Sequence, residues 1–207
     1  MKKMIINAKI PVLFLFALLT WTNACCQRDV ITIPDFPATG LILDIGGGGE
    51  GVIGQLKGDQ VISIDINKQE LIDAPSINLK LVMDARDLKF LDNSFNTVAI
   101  FYTLMYIKGA DHEKVFSEVY RVLKPGGKLL IWDVDLPPRK GATIETIMYS
   151  FSFKLPNTTI NTGYGVRKQE KEQNLQYYTD LAVKTGFKVI SSTQTGSSLY
   201  LELQKNQ

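Results

Sequence analysis

The chain has 207 residues, of which 45% are apolar and 21% are charged, with 16 Gly, 8 Pro and 2 Cys. Such a chain is long enough to bury a real core, and its composition excludes a disordered tail, a collagen-like chain and a disulfide-stapled mini-protein. The two cysteines, Cys25 and Cys26, are adjacent, and His112 is the single histidine. We therefore expect no metal site.

The positive charge is concentrated at the N-terminus. The whole chain carries 23 basic and 21 acidic residues, but Lys2, Lys3 and Lys9 precede residue 25 and no acidic residue does, so 20 basic and 21 acidic residues remain after it. A near-neutral domain lacks the basic surface that nucleic acids require. We expect a small-molecule substrate and no nucleic-acid partner.

Residues 1–26 have the pattern of a targeting segment. Three lysines flank or precede the apolar run Ile10–Leu19, and small or polar residues follow it up to Cys25. A charged start, an apolar stretch and small residues before a cut are typical of a secretory signal, and about ten apolar residues are too few to span a bilayer. The segment 1–26 is therefore predicted to be a signal peptide or a lipoprotein anchor, and residues 27–207 the folded domain.

The end of this segment resembles the cleavage box of a bacterial lipoprotein, with Cys25 or Cys26 as the lipidated residue. It departs from the common box at Thr22, where an aliphatic residue is usual. Cleavage after Ala24 by an ordinary signal peptidase, an uncleaved anchor and a buried first helix stay open as alternatives. The expected location is the membrane or the cell envelope, or the cytoplasm if the segment is not a signal.

After residue 27, short apolar runs alternate with helical stretches, which is typical of a parallel sheet with crossover helices. A capping Asp111 and Pro125 are expected to bound the helix between the fourth and fifth strands, with Lys124–Gly127 forming a turn, and Gly186 to end the last helix. The expected elements are strands at 41–45, 60–65, 79–83, 96–101 and 128–132, helices at 52–57, 112–123 and 168–185, and a closing antiparallel hairpin of 187–194 and 199–203.

Residues 134–166 form an irregular insertion. Pro137 and Pro138 indicate a loop, Met148–Phe153 alternates as a strand does, and Thr162–Gly165 is predicted to be a returning strand or a flap. Two interpretations stay open: a substrate lid, or a hairpin that covers an exposed edge of the sheet.

A glycine motif of the form G-x-G-x-x-G lies at Gly46, Gly48 and Gly51, directly after the first predicted strand. Glycine is required where the backbone turns tightly and a ligand approaches it closely, because a Cβ would collide. Nicotinamide-dependent enzymes share this motif, so it does not identify the ligand by itself.

Three carboxylates at strand ends favour a cationic adenosyl ligand. Asp44 lies inside an apolar strand and needs a partner, which a ligand ammonium would supply and a pyrophosphate would not. Asp65 ends the second strand, where a carboxylate accepts both ribose hydroxyls, and Asp84 follows the third strand, where an adenine amino group would be its partner. Together they suit a phosphate-bearing ligand badly.

Further motifs carry a resemblance to a known family. Leu88–Asn96 reads LKFLDNSFN, Glu118–Gly127 reads EVYRVLKPGG, and Thr185–Phe187 reads TGF. With the glycine motif and the three carboxylates, these resemble the class I S-adenosylmethionine-dependent methyltransferases, specifically the methyltransferase type 11 group, from about Leu41 to Asp133. The resemblance implies an α/β, Rossmann-like sheet of seven mostly parallel strands, flanked by helices, in the order 3-2-1-4-5-7-6 with one antiparallel strand.

The resemblance also implies roles for single residues toward S-adenosylmethionine as cofactor. The methionine part would be held at the glycine loop, the ribose at the end of the second strand, the adenine after the third strand, and the methyl group near the end of the fourth. The residues are, in that order, Asp44, Gly46 and Gly48; Asp65; Asp84 and Ala85; and Phe101 and Tyr102.

The sequence departs from the family pattern in three places. Asn96 stands where the family has Asp, and Gly47 and Gly49 stand where Cys and Thr are frequent. Residues 27–40 leave no room for the N-terminal helices that often cover the substrate. These departures bear on the acceptor pocket more than on the cofactor site.

The catalytic residues are left unassigned. Methyl transfer from a sulfonium is an in-line displacement that depends mainly on alignment and exclusion of water. An oxygen or carbon acceptor can require a base that a nitrogen or sulfur acceptor does not. Candidate bases are Tyr102, Asp133 and His112, although His112, near a helix start, is expected to be a surface residue.

Three functions stay in competition. A methyltransferase acting on an unidentified small molecule is favoured by the motifs. A non-catalytic, exported ligand-binding lipoprotein on the same fold is favoured by residues 1–26, because the N-terminal lysines predict export and the donor is made and kept in the cytosol. An NAD-dependent oxidoreductase is disfavoured by Asp44.

Overall fold

The computed structural model describes residues 28–75, 78–141 and 143–207. The predictions for residues 1–26 lie outside this part of the chain. The helices and strands are β1 (Asp29–Thr32), β2 (Ile42–Ile45), α1 (Val52–Lys57), β3 (Val61–Asp65), α2 (Lys68–Asp73), β4 (Leu79–Val82), β5 (Phe95–Phe101), α3 (His112–Val122), β6 (Leu123–Val134), β7 (Thr146–Lys154), β8 (Thr159–Arg167), α4 (Leu175–Lys184), β9 (Phe187–Thr195) and β10 (Ser198–Lys205).

Seven strands form the main sheet in the order β4-β3-β2-β5-β6-β10-β9. Counted along the chain within this sheet, the order is 3-2-1-4-5-7-6, and β10 runs antiparallel to both β6 and β9. The predicted topology is confirmed. All four residues of β2 and nearly all of β5 are buried, as expected of central parallel strands that are covered on both faces.

The closing elements differ from the prediction at one helix boundary. Helix α4 begins at Leu175, seven residues later than the expected start at Lys168. Asn174 caps this helix by accepting the backbone N–H of Tyr177 at 2.8 Å, and the backbone of Gln173 is already paired with Leu136 in an isolated bridge. A residue engaged in that bridge cannot enter the helix. Gly186 ends α4 with a φ of +95°, as predicted.

The stretch 124–127 is not the simple turn that the sequence predicts. The strand β6 begins at Leu123, and Pro125 follows within it. Its pairing with β5 shifts register between Phe95 and Thr97, and Gly126 has a φ of +74°. The Lys-Pro-Gly-Gly sequence therefore forms an irregularity at the start of β6, where glycine accommodates the left-handed backbone.

Residues 146–167 fold as the antiparallel hairpin β7–β8. The strand β1 pairs parallel with β7, so the three strands form a second sheet. The sequence did not predict β1. The buried side chains of β7 alternate at Tyr149, Phe151 and Phe153. They pack in one cluster with Phe101 and Trp132, which lie on a face of the main sheet. The hairpin thus covers a face of the main sheet and pairs with neither of its edge strands.

No helix in the described ranges is long and apolar enough to cross a membrane.

Candidate cofactor-binding site

A cavity of about 760 Å³ opens at the carboxyl ends of β2, β3 and β5. Parallel sheets place their ligands at this end, where the strand order changes direction between neighbouring strands. All eight residues predicted to bind the cofactor line this one cavity, namely Asp44, Gly46, Gly48, Asp65, Asp84, Ala85, Phe101 and Tyr102.

The glycine loop is packed too closely for side chains. A Cβ on Gly46, whose φ is +73°, would lie 2.0 Å from Oγ1 of Thr103, and one on Gly48 would lie 2.4 Å from Cβ of Glu70. The backbone N–H of Gly46 donates to the carbonyl of Ile64 at 2.8 Å. The loop is therefore held against the ends of the neighbouring elements, and its bare backbone forms a wall of the cavity.

Asp44 is the buried carboxylate that the sequence singled out, and it is 1% exposed. Its Oδ2 accepts the hydroxyl of Ser63 at 3.1 Å, while Oδ1 has no hydrogen-bond partner among the described residues. Burial raises the pKa of Asp44 to about 7, against the lowering effect of the Ser63 hydrogen bond. A buried carboxylate at a cavity wall, with only one of its oxygens hydrogen-bonded among the described residues, is a binding site for a cation.

The second carboxylate lies at the end of β3. Asp65 accepts the backbone N–H of Asn67 at 2.7 Å through Oδ1, which shapes the turn into α2. A Cβ on Gly48 would lie 3.0 Å from its Oδ2, so this oxygen faces the glycine loop. Asp65 is thus directed at the same part of the cavity as the loop.

The third carboxylate has a protein partner that the sequence did not predict. Arg86 donates hydrogen bonds to both carboxylate oxygens of Asp84, the shortest from Nη2 to Oδ2 at 2.7 Å. Its Nη1 also donates to Oδ2 of Asp111 at 2.9 Å. The hydrogen bond from Arg86 lowers the pKa of Asp84. Asp111 precedes α3, but its side chain makes no capping hydrogen bond. Asp84 and Ala85 keep their places at the cavity wall, and their contact with adenine stays a prediction.

Aromatic rings and one further carboxylate line the end of the cavity beyond β5. Tyr164 of β8 stacks on Tyr102 with ring centroids 5.5 Å apart and meets Tyr106 edge-on at 6.5 Å. Glu50 accepts hydrogen bonds from the hydroxyls of Tyr164, at 3.2 Å, and Thr162. Glu50 belongs to the glycine loop, so these bonds join that loop to the β7–β8 hairpin.

None of the three candidate bases presents a free group to the cavity. Tyr102 lines it, but its hydroxyl bonds to Ser198, and burial raises the pKa of Tyr102. Asp133 is fully buried beneath the site and outside the lining, where Oδ2 accepts the backbone N–H of Leu104 at 2.8 Å. Burial raises the pKa of Asp133 to about 7.

His112 is buried, and the expectation that it lies on the surface is wrong. Its Nε2 lies 3.0 Å from the carbonyl oxygen of Leu104, and its Nδ1 lies 3.0 Å from the hydroxyl of Tyr177. Burial lowers the pKa of His112. The helix start is covered by α4, which supplies Tyr177 and Tyr178 against the ring, so the imidazole supports the turn at residues 104–107.

Comparison with known proteins agrees with the fold and the motifs. Residues 43–131 match the family model Methyltransf_11, described as a methyltransferase domain. The ubiquinone/menaquinone biosynthesis C-methyltransferase UbiE of Blochmanniella floridana is 46% identical over 33% of this chain and 26% of its own length. The same enzyme of Pseudoalteromonas translucida is 34% identical over 54% of this chain and 49% of its own length.

Residues 43–131 are therefore similar to the methyltransferase domain of the class I S-adenosylmethionine-dependent methyltransferases. Phosphoethanolamine N-methyltransferase 2 of Caenorhabditis elegans is 30% identical over 74% of this chain and 33% of that enzyme. The chain therefore spans half or less of the length of these three curated relatives.

Solved structures show the same fold. A protein from Pyrococcus horikoshii superposes with a TM-score of 0.59 at 22% identity, covering 81% of this chain and 83% of its own. The glycopeptide N-methyltransferase MtfA, solved with S-adenosyl-L-homocysteine, superposes with a TM-score of 0.56 at 18% identity, covering 83% of this chain and 85% of its own. The [4+2]-cyclase SpnF also superposes, at 0.57 and 15% identity over 82% of this chain and 76% of its own, so the fold by itself does not define the reaction.

The residues at the site fit the methyltransferase cofactor. The unpaired Oδ1 of Asp44 is a buried acceptor at the cavity wall, and the ammonium of an amino-acid group is a donor of matching charge. Asp65 offers a carboxylate at the strand end where a ribose diol would lie. The bare glycine backbone between them leaves space for the chain that joins the two groups.

Two family signatures that are separate in the sequence are joined in the structure. Glu118 accepts the backbone N–H of Leu88 at 2.8 Å, and Arg121 donates to the carbonyl oxygens of Leu88 and Phe90, each at 2.8 Å. These side chains hold the segment before β5 against α3. The signature residues of α3 are therefore structural and lie outside the cavity lining.

Among the cavity residues that sequence reasoning missed, three have side chains that shape the site. Glu50 lies inside the glycine motif, Arg86 lies two residues after Asp84, and Tyr164 lies in the Thr-Gly-Tyr-Gly stretch of β8. The sequence did contain an indication of Arg86, because it is the one basic residue between the acids Asp84 and Asp87. The position of Tyr164 depends on how the hairpin packs, which no local pattern encodes.

Proposed function

We propose that this chain transfers the methyl group of S-adenosylmethionine to a small-molecule acceptor. The observation that carries the proposal is the unpaired Oδ1 of Asp44 at the wall of a cavity that also holds Asp65 and the glycine loop. The match of residues 43–131 to a methyltransferase-domain model supports the proposed activity. The names of the relatives divide between carbon and nitrogen acceptors, so they leave the acceptor open.

In this proposal, the cofactor supplies an electrophilic methyl group on a positively charged sulfur. Asp44, Gly46 and Gly48 bind the amino-acid part, and Asp65 binds the ribose. Asp84 and Ala85 contact the adenine. These residues orient the donor so that its methyl group faces Phe101 and Tyr102, and alignment of the two reactants provides most of the rate enhancement.

The β7–β8 hairpin is proposed to be a lid over the acceptor end of the cavity, which is the part beyond β5 where the acceptor would bind. Tyr164 and Gly163 of β8 line the cavity, and Glu50 is hydrogen-bonded to two hydroxyls of that strand. A cover in this position excludes water from the reacting atoms.

The proposal is tested by incubating the full-length protein with methyl-labelled S-adenosylmethionine and a small-molecule extract. Transfer of label into an extract component, lost in Asp65→Ala, is the expected result. Binding of the cofactor without transfer to any component would contradict the enzyme and favour the non-catalytic ligand-binding alternative. That alternative is supported by the signal-like residues 1–26.

Residues 1–26 are proposed to be a signal peptide or a lipid anchor. The support is the order of lysines, apolar run and cysteine in the sequence. Labelling with radioactive palmitate in the native host, followed by fractionation, tests it. Label that disappears in the double variant Cys25→Ser/Cys26→Ser is expected, and an unlabelled wild-type chain in the soluble fraction would contradict the lipid anchor.

A further inference from the structure

The three candidate bases give a nucleophile at the acceptor end of the cavity little help in losing a proton. The hydroxyl of Tyr102 is bonded to Ser198, and Asp133 and His112 lie outside the cavity lining. An acceptor whose own lone pair is free at neutral pH needs no such help. Neutral amines have this property, whereas phenols and carbon acids must first be deprotonated.

The charge of the cavity wall also discriminates between acceptors. Six carboxylates line it, against the two cations Arg86 and Lys108, and Arg86 is already paired with Asp84 and Asp111. A negatively charged wall repels phosphates, carboxylates, phenolates and thiolates. It stabilises positive charge.

The residues nearest the proposed acceptor position form a seat for a cation. Glu50 is hydrogen-bonded to the hydroxyls of Thr162 and Tyr164 and forms no ion pair within the described ranges. The rings of Tyr106 and Tyr164 stand nearly perpendicular, at 86°, which gives the seat two aromatic walls. Aromatic faces and a carboxylate attract ammonium groups together.

We infer that the acceptor is an amine without a phosphate group, held by Glu50, Tyr106 and Tyr164; this inference rests on the methyl transfer proposed above. The lone pair of the neutral amine forms the new N–C bond as the C–S bond of the donor breaks, and the electron pair of that bond remains on sulfur. The positive charge moves from sulfur to nitrogen. The product ammonium then lies against Glu50 and the two rings, and it releases any excess proton to water after leaving.

The test is a binding measurement with two probes of nearly the same shape, choline and 3,3-dimethyl-1-butanol, of which only choline is charged. Each is titrated by calorimetry into the full-length protein saturated with S-adenosyl-L-homocysteine. Choline is expected to bind about tenfold more tightly or better, as a carboxylate and aromatic walls imply. Glu50→Gln, also saturated with S-adenosyl-L-homocysteine, is expected to abolish that preference.

A matched control is Glu172→Gln, since Glu172 is exposed and does not line this cavity. It should keep the preference of the wild-type protein. Equal binding of the two probes, binding of neither, or an unchanged preference in Glu50→Gln would overturn the amine inference while leaving the methyltransferase proposal intact. Failure of the wild-type protein to bind S-adenosyl-L-homocysteine would overturn the proposed function itself.

Turnover gives a second readout. With labelled donor at pH 7, aniline, whose lone pair is free at that pH, is expected to accept methyl groups at least tenfold faster than phenol. Faster methylation of phenol, or transfer to a ring carbon, would overturn the inference because both reactions require a deprotonated acceptor.

Discussion

Ser63 donates its hydroxyl to Oδ2 of Asp44 across two neighbouring strands, at 3.1 Å, and Oδ1 of the same carboxylate is left without a partner among the described residues. A single hydrogen bond from a neutral hydroxyl does not offset the burial of a full charge. The pKa of Asp44 is therefore about 7, and a ligand ammonium is the group that would ionise it fully.

The affinity for S-adenosyl-L-homocysteine is expected to fall as the pH is lowered from 7 to 5.5. Below a pKa of about 7 the ligand must bind an Asp44 that has first lost its proton, which costs up to about tenfold in affinity per pH unit. The ligand ammonium stays charged throughout this range. Calorimetry at four pH values measures the slope.

The matched variants for this experiment are Asp44→Asn and Asp59→Asn. Asp44→Asn should bind at least tenfold more weakly and show a flat profile, whereas Asp59→Asn, at an exposed position outside the cavity, should keep the wild-type slope. A flat profile in the wild-type protein would mean that the Asp44 carboxylate does not contact the ligand ammonium.

Gly48→Ala is expected to weaken S-adenosyl-L-homocysteine binding at least tenfold and to destabilise the protein by about 1–3 kcal/mol. The new Cβ would lie 2.4 Å from Cβ of Glu70 and 3.0 Å from the backbone carbon of that residue, so the loop must shift. Gly109→Ala is the control, because its Cβ would meet only the side-chain ends of Gln173, at 3.3 Å, and Tyr177, at 3.6 Å. Equal affinities in the two variants would show that the loop does not approach the ligand.

Arg121→Met is expected to lower the free energy of unfolding by about 2–4 kcal/mol, because the carbonyl oxygens of Leu88 and Phe90 lose charged donors at 2.8 Å. Affinity for S-adenosyl-L-homocysteine in the folded variant should stay within about threefold of the wild-type value. Arg167→Met, at an exposed position of β8, serves as the control and should change stability by less than about 0.5 kcal/mol. Urea unfolding measures the stability of both variants. A loss of affinity greater than threefold in folded Arg121→Met would assign this arginine to the binding site instead.

Asp133 makes stability depend on pH with a defined sign. Its pKa is raised to about 7 from 3.8, so the folded protein holds a proton that the unfolded chain has released. The free energy of unfolding therefore decreases as the pH rises from about 4 to about 7, by up to about 4 kcal/mol from this group, and is level above that range.

Asp133→Asn removes this dependence. The variant has one acceptor oxygen where Asp133 has two, so either the backbone N–H of Val134 or those of Leu104 and Met105 lose their acceptor at every pH. The variant is therefore less stable by an offset that does not vary with pH. Asp44 and His112 titrate in both proteins, so their contributions to the free energy of unfolding cancel in the difference between variant and wild type. Urea unfolding at pH 5, 6, 7 and 8 should show the gap between variant and wild type narrowing as the pH rises; a constant gap would contradict the assigned pKa.

The order of the seven strands could be predicted because the motifs resemble a family whose sheet has this order. Three of the four strands between Leu41 and Phe101 are also apolar runs ended by a glycine or an acid. The eight residues predicted to bind the cofactor lie around one cavity because parallel strands bring their carboxyl ends to one edge. Pattern and spacing along the chain predicted the strands, and the family resemblance supplied their order.

Features that depend on contacts between distant segments were not predictable. Nothing near His112 in the sequence indicates that Tyr177 and Tyr178 will cover it, and nothing near Asp29 predicts that β1 will pair with β7. The start of α4 was misplaced because Gln173 is held by Leu136, which lies far away in the chain. In each case the deciding partner comes from another part of the fold.

The most direct test of the account is a calorimetric titration of the full-length protein with S-adenosylmethionine, S-adenosyl-L-homocysteine and NAD, beside the variant Asp65→Ala. Micromolar binding of the first two compounds, no binding of NAD, and loss of at least tenfold in affinity in Asp65→Ala are the predicted results. A folded wild-type protein that binds neither sulfur compound, or that prefers NAD, would contradict the account.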